Sequence, residues 1–113
     1  MPITNEQLQD HKFLEEMYLD DYFPDHVVDQ GRAILVRLCE QIEFANPADL
    51  DELYRLTHAA TESFNELQAV FEDNESDIEA VAGECISAEF DQIAKAYGFD
   101  NADTEEMLAP REW

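Results

Sequence analysis

The side chains with chemistry to offer are mostly carboxylates. The 113-residue chain carries 28 Asp and Glu against 6 Lys and Arg and 3 His, a formal net charge of −22. In a helical protein, carboxylates and histidines together suggest a di-iron or di-manganese centre. That site needs Glu-x-x-His on two helices and a further Glu from each of two others. Here the residues three before the histidines are Leu8 for His11, Phe23 for His26 and Arg55 for His58, so the pattern is absent. His11 with Glu15 and His58 with Glu62 share helix faces at four-residue spacing, which surface pairing explains. Asp73-Asn74-Glu75-Ser76-Asp77 alternates oxygens as a calcium loop does, with Glu84 at the twelfth position. No Gly stands at the sixth, where that loop turns, and the segment reads better as a helix start. No metal or other cofactor is expected.

Nucleophilic chemistry has little material. Cys39 and Cys85 each fall on an apolar helix stripe with no His close in sequence, where a thiol is inert. There is no Gly-x-Ser-x-Gly and no Gly-rich phosphate loop. The chain is expected not to be an enzyme, and its cysteines to be buried free thiols in a reducing compartment.

One carboxylate stands apart. At about 100° per residue, Glu89 points into the apolar stripe of its helix, between Cys85 and Ile93. A core Glu is costly unless paired, and Arg32, His58 or a Tyr hydroxyl are the partners the sequence offers. Either the stripe is wide there and Glu89 reaches a groove, or Glu89, His58 and Arg32 form a polar pocket. A second candidate is the corner Asp20-Asp21-Tyr22-Phe23 before Pro24. Its aromatics either plug the end of the fold or make a protein-binding edge.

The acids also run one-sided. From Leu56 to Ala94 there is no Lys or Arg. Outside Glu89, that stretch holds Glu62, Glu66, Glu72, Asp73, Glu75, Asp77, Glu79, Glu84 and Asp91. Three accounts compete: a solvated face, adaptation to high salt (lysine is reduced to Lys12 and Lys95), or a rigid polyanion that occupies a basic site on another protein.

The elements that position these residues are helical. Thr4-Asn5-Glu6-Gln7 fits a capping box opening a first helical region, with Leu8, Phe13, Leu14, Met17 and Tyr18 on one face and a break near Asp10-His11. Pro24 suits the first turn of a second helix, whose stripe is Val27, Val28, Gly31, Ile34, Leu35, Leu38 and Ile42. Gly31 there suggests close approach of a neighbour. Asn46-Pro47-Ala48-Asp49 stops that helix and starts a third, with Asn46 as the cap. The third stripe is Leu50, Leu53, Thr57, Ala60, Phe64, Leu67 and Phe71. Ser76-Asp77-Ile78-Glu79 fits a capping box for a fourth helix that Gly98 stops. Asp103 to Leu108 makes a short final helix, and Phe99, Met107, Leu108 and Trp113 bring the tail back onto the fold. The expectation is one all-α domain over residues 1–113, an antiparallel helical bundle of three long helices plus short N- and C-terminal helices.

Composition narrows the partners. A chain of −22 repels nucleic acid and anionic membrane, so a basic protein is the expected partner class. No segment has the roughly 18 apolar residues of a membrane span. The N-terminus lacks a basic, apolar signal pattern, so the expected setting is cytoplasmic. The expected state is a monomer or small homo-oligomer.

Four words resemble an uncharacterised family of small bacterial proteins. They are Met17 to Pro24 (MYLDDYFP), Leu53 to Glu62 (LYRLTHAATE), Ala96 to Phe99 (AYGF) and Arg111 to Trp113 (REW). The resemblance spans nearly the whole chain. It implies a stand-alone bacterial protein of unknown function with no assigned catalytic residues, and it draws attention to His58 and Tyr22. Three functions remain in view: an inhibitor, immunity-type protein or nucleic-acid mimic acting through the acidic surface; a small-ligand or metal-binding bundle with a buried carboxylate; and a protein whose charge serves solubility or salt adaptation alone.

Overall fold

The computed structural model describes residues 3–113. Its helices are α1 (Glu15–Tyr18), α2 (Asp25–Ala45), α3 (Leu50–Asp73), α4 (Ala80–Ala96) and α5 (Thr104–Met107), and the described residues contain no strand. This is the all-α bundle that the apolar spacing predicts. The stripes face inward, with Leu35, Leu38, Leu53, Phe64, Phe71, Ile86 and Phe90 among the fully buried side chains. Each contributes about 1.5–3 kcal/mol by leaving water.

The helices α2 and α3 form the main pair. At their link, Asn46 ends α2 in the left-handed region (φ 48°) and Asp49 caps α3, accepting from the Glu52 N–H at 2.9 Å. Asp49, not Asn46, is therefore the N-cap. The Glu52 carboxylate reaches back to the Ala48 N–H at 2.6 Å, closing a reciprocal cap shifted one residue outward.

The turn after α3 departs from the capping-box expectation for a physical reason. The Ser76 N–H bonds the Phe71 carbonyl and the Glu75 N–H bonds the Glu72 carbonyl, a Schellman stop. Ser76 thus closes α3 through its backbone N–H, and its buried hydroxyl makes no hydrogen bond and does not cap α4. Glu79 flanks the start of α4 instead, without a side-chain cap. The left-handed position of this stop is taken by Glu75 (φ 62°), where a glycine is usual. The matching stop after α4 does use glycine: Gly98 has φ 90°, with Phe99 N–H to Ala94 carbonyl and Gly98 N–H to Lys95 carbonyl.

The first helical region is reduced to a turn over residues 6–10 and the single turn of α1. Thr4 does not cap it. Its N–H (3.0 Å) and hydroxyl (2.9 Å) both donate to Glu43 of α2, and Asn5 accepts from the Gln7 N–H at 2.8 Å in its place. The chain after residue 10 then bends because Leu14 sits in the left-handed region (φ 61°). For a bulky side chain this is a strained conformation.

The tail returns as expected. The helix α5 packs against both α3 and α4. Met107 and Leu108 are buried, and the Trp113 ring meets Phe64 edge-on at 6.2 Å. The indole lies over Gly83 of α4, at a distance where a Cβ would make ordinary contact (3.7 Å).

Candidate functional site

Glu89 is buried at 7% exposure, and both its oxygens are used. Oε2 accepts from the Leu14 N–H at 2.6 Å, and Oε1 accepts from His11 Nε2 at 2.8 Å. A carboxylate only accepts, so Nε2 is the protonated nitrogen of His11. The partner is therefore His11, not Arg32, His58 or a tyrosine. Arg32 borders an adjoining hollow with Tyr18 and Asp29, and the Tyr18 hydroxyl donates to Asp29 at 2.5 Å. His58 lies on α3 and faces α5. The polar pocket of Glu89, His58 and Arg32 does not form: Glu89 is taken by His11 and Leu14, His58 by the Glu106 carbonyl, and Arg32 is exposed beside Tyr18 and Asp29.

What Glu89 holds is the strained bend. Its bond to Leu14 N–H satisfies the donor that the left-handed turn leaves without a helical carbonyl. The Leu14 side chain then enters beside Gly31, where a Cβ would come within 3.0 Å of Leu14 Cδ1 and 3.3 Å of Phe64. Gly31 thus admits a side chain from the N-terminal segment as well as α3, where a helix neighbour alone was expected.

A second carboxylate, which the sequence reading did not single out, works the same way. Glu43 accepts from Thr4 N–H, Thr4 hydroxyl, Asn5 N–H (3.1 Å) and the Tyr97 hydroxyl (2.5 Å). Partial burial works against its charge, but the bonds from Tyr97, Thr4 and Asn5 prevail and hold its carboxyl below the ordinary range. Asn5 also donates to the Ala96 carbonyl at 2.8 Å, closing the end of α4. The signal available was that Glu43 follows Ile42 at the edge of the α2 stripe, half-buried beside Cys39.

Their surroundings hold both thiols in the protonated form. Burial first, then the nearby Glu43, pushes Cys39 up to about 12. Burial, then Glu89, pushes Cys85 up to about 11. Both are free; Cys39 is buried and Cys85 half-buried. Cys85 and Glu89 border an open groove of about 570 Å³ along the N-terminal segment, with Asp10, Glu15 and Glu16 on its rim. Among the described residues, no three His, Cys, Asp or Glu converge as metal ligands.

His58 belongs to a polar ladder on α3 that holds the tail. The Tyr54 hydroxyl accepts from Asp103 N–H (3.1 Å), and His58 Nε2 donates to the Glu106 carbonyl (2.6 Å). The Thr61 hydroxyl donates to the Met107 carbonyl (3.1 Å), and Asn65 binds the Pro110 carbonyl (3.0 Å) and Glu112 N–H (2.8 Å). Positions 54, 58, 61 and 65 repeat at helical spacing beside the apolar stripe. That repeat is a readable sign that irregular backbone docks there.

The corner after α1 divides. Phe23 is buried and meets Phe71 edge-on at 6.1 Å, plugging the end of the bundle. Tyr22 remains 42% exposed, while Asp20 accepts from its N–H at 2.9 Å and shapes the turn. Asp21 is exposed.

The carboxylates from Glu62 to Asp91 lie outward. Glu62, Glu66, Glu72, Asp73, Glu75, Glu79 and Glu84 are exposed, and Asp77 and Asp91 half-buried. Glu72 and Asp77 both accept from the Gln68 amide, and Asp91 pairs with Lys95 at 3.0 Å. At the corner where α3 ends, Glu72, Asp73, Glu75, Asp77 and Glu79 crowd into residues 72–79. The seam between α2 and α3 is different. Two adjoining hollows lie along it, and Glu40 is the only acid among the residues lining them.

No helix among the described residues is long and apolar enough to cross a membrane. No curated protein and no solved structure matches the chain. A family model does, over residues 7–113, a span that includes the four words quoted above. The chain belongs to a family of unknown function, DUF5713.

Proposed function

We propose that this is a non-enzymatic binding protein whose acidic helical surface engages a basic protein, in the manner of an inhibitor, an immunity-type protein or a nucleic-acid mimic. The observation that carries the reading is the uneven placement of charge. Glu62, Glu66, Glu72, Asp73, Glu75, Glu79 and Glu84 follow one another, all exposed, along outer α3 and round the α3–α4 corner with no Lys or Arg between them, while Glu40 is the only acid lining the two α2–α3 hollows. A chain made acidic only for solubility or salt would spread its charge evenly.

The physics suits such a role. A field of one sign steers a basic partner onto a surface and raises the association rate, and added salt weakens it. Helix α3 fixes the spacing of Glu62, Glu66 and Asp73, so little ordering is lost on binding. The same field disfavours nucleic acid and anionic membrane. The proposed setting is a bacterial cytoplasm, where the free thiols Cys39 and Cys85 stay reduced.

The test is capture from a lysate of the native cells with the tagged chain, at low and at high salt. The reading expects a stoichiometric basic protein that is retained at low salt and released at high salt. Retention of nothing at low salt would retire it and leave the charge as solvation.

A further inference from the structure

We propose that the N-terminal segment, residues 4–14, is an acid-released latch, and that the C-terminal tail stays docked under the same conditions. The inference stands apart from the basic-partner reading, because it concerns what holds the two ends of the chain in place. The ends are tied by different chemistry. Carboxylates on α2 and α4 tie the N-terminal segment: Glu43 accepts from the Thr4 N–H, the Thr4 hydroxyl and the Asn5 N–H, and Glu89 accepts from the Leu14 N–H and His11 Nε2. The Asn5 amide on the Ala96 carbonyl adds an uncharged tie. The tail is tied to α3 by the hydroxyls of Tyr54 and Thr61, the amide of Asn65 and the imidazole of His58. His58 gives an N–H to a carbonyl, a bond that a charged imidazole keeps.

Geometry makes the carboxylate ties sensitive to a proton. Both Glu89 oxygens face N–H donors, and both Glu43 oxygens face the Thr4 N–H, at 3.0 and 3.1 Å. A backbone N–H cannot reverse into an acceptor, and a charged His11 donates from both ring nitrogens. An added proton therefore crowds these donors, and it removes the charge that strengthens every bond to that carboxylate. Around Glu43 stand Tyr97 from the end of α4, with Cys39 and Glu40 on α2. Around Glu89 stand Asp10, His11 and Lys12 of the segment, Glu15 and Glu16 of α1, Cys85 of α4 and Cys39 of α2. Tyr97 and both thiols are pushed up and stay neutral in acid. The Glu43 carboxyl lies below its ordinary value in the folded chain, so its tie is complete above that value and lost as pH falls through the folded one. Leu14 then keeps its strained φ of 61° without the anchor on its N–H, and its seat beside Gly31 on α2 can open. The burial of Leu8, Phe13 and Leu14 resists release. In the same range the outer acids lose their mutual repulsion, so α2, α3 and α4 stand while the segment opens locally.

The experiment is residue-resolved amide hydrogen exchange of the full chain from about pH 7 to about pH 2.5, with each rate corrected for the intrinsic effect of pH. The Asn5 and Leu14 amides report the latch, and those of Met107 and Leu108, in the docked α5, report the tail. The expected result is a fall of about tenfold or more in Leu14 protection relative to Met107 and Leu108 as pH drops below about 4.5, with helical circular dichroism retained. A chain carrying Glu43→Gln and Glu89→Gln, neutral stand-ins for the protonated acids, should show the lowered Leu14 protection already at neutral pH. Equal loss of protection in both segments would mean general unfolding and would overturn the proposal. So would Leu14 protection that does not change across the titration, or a double variant that holds Leu14 as tightly as the parent.

Discussion

At the residue scale, the carboxylate that stood apart in the sequence, Glu89, is structural, and so is Glu43, which did not stand apart. Glu89 and Glu43, on different helices, each accept backbone N–H groups of the N-terminal segment. Removing Glu89 as Glu89→Ala leaves the buried Leu14 N–H and His11 Nε2 without acceptors. The expected loss is about 2–3 kcal/mol in urea unfolding, and about 1 kcal/mol for Glu89→Gln, which keeps one acceptor. A loss below about 0.5 kcal/mol for the alanine variant would show that the clamp is not formed. Glu43 carries a pH signature. Its carboxyl is held lower in the folded chain than its ordinary value of 4.5, so its contribution is complete above that value and fades as pH falls through the folded one. The stability difference between the parent and Glu43→Gln should therefore be constant near neutrality and shrink on acidification below about pH 4.5. A difference that grows in acid would reverse the assignment.

At the element scale, the long helices were legible and their ends were not. Period 3.6 in α2, α3 and α4 comes from burial on one face, which the residues themselves encode. Helix ends are decided by competition for orphan N–H and carbonyl groups, and the winners came from distant sequence. Thr4 has the right chemistry to cap but gives its donors to Glu43, 39 residues away. Ser76 has the right spacing to open α4, but its N–H closes α3 and its buried hydroxyl caps nothing. Gly98 was readable because its need for a positive φ is local. Glu75 fills the equivalent position at φ 62° with a side chain that strains there. Glu75→Gly should stabilise the fold by about 1 kcal/mol in thermal or urea unfolding. Destabilisation by that substitution would mean the Glu75 side chain makes a contact worth more than the strain. His58 was noticed for the wrong reason: its role is docking the tail, visible as the ladder at 54, 58, 61 and 65 and not as a pocket.

At the scale of the whole molecule, charge and fold oppose each other. A net −22 on 113 residues favours expansion, and the buried stripes together with the pinned N-terminal segment and tail resist it. Screening should therefore stabilise. Raising NaCl from about 0.1 to 1 M shortens the Debye length from about 10 to 3 Å and should raise the Tm by at least about 4 °C. An unchanged Tm would mean that repulsion is already balanced locally. That shift measures repulsion and not purpose; purpose lies in where the exposed acids sit. The most direct test is to repeat the low-salt capture with a chain carrying Glu62→Gln, Glu66→Gln, Asp73→Gln and Glu75→Gln, beside the parent and Phe44→Glu, a change at an exposed residue of the α2–α3 seam. The account predicts that the basic partner is lost from the neutralised chain and kept by the other two. A partner retained by the neutralised chain, or lost from Phe44→Glu alone, would place the binding surface elsewhere and contradict it.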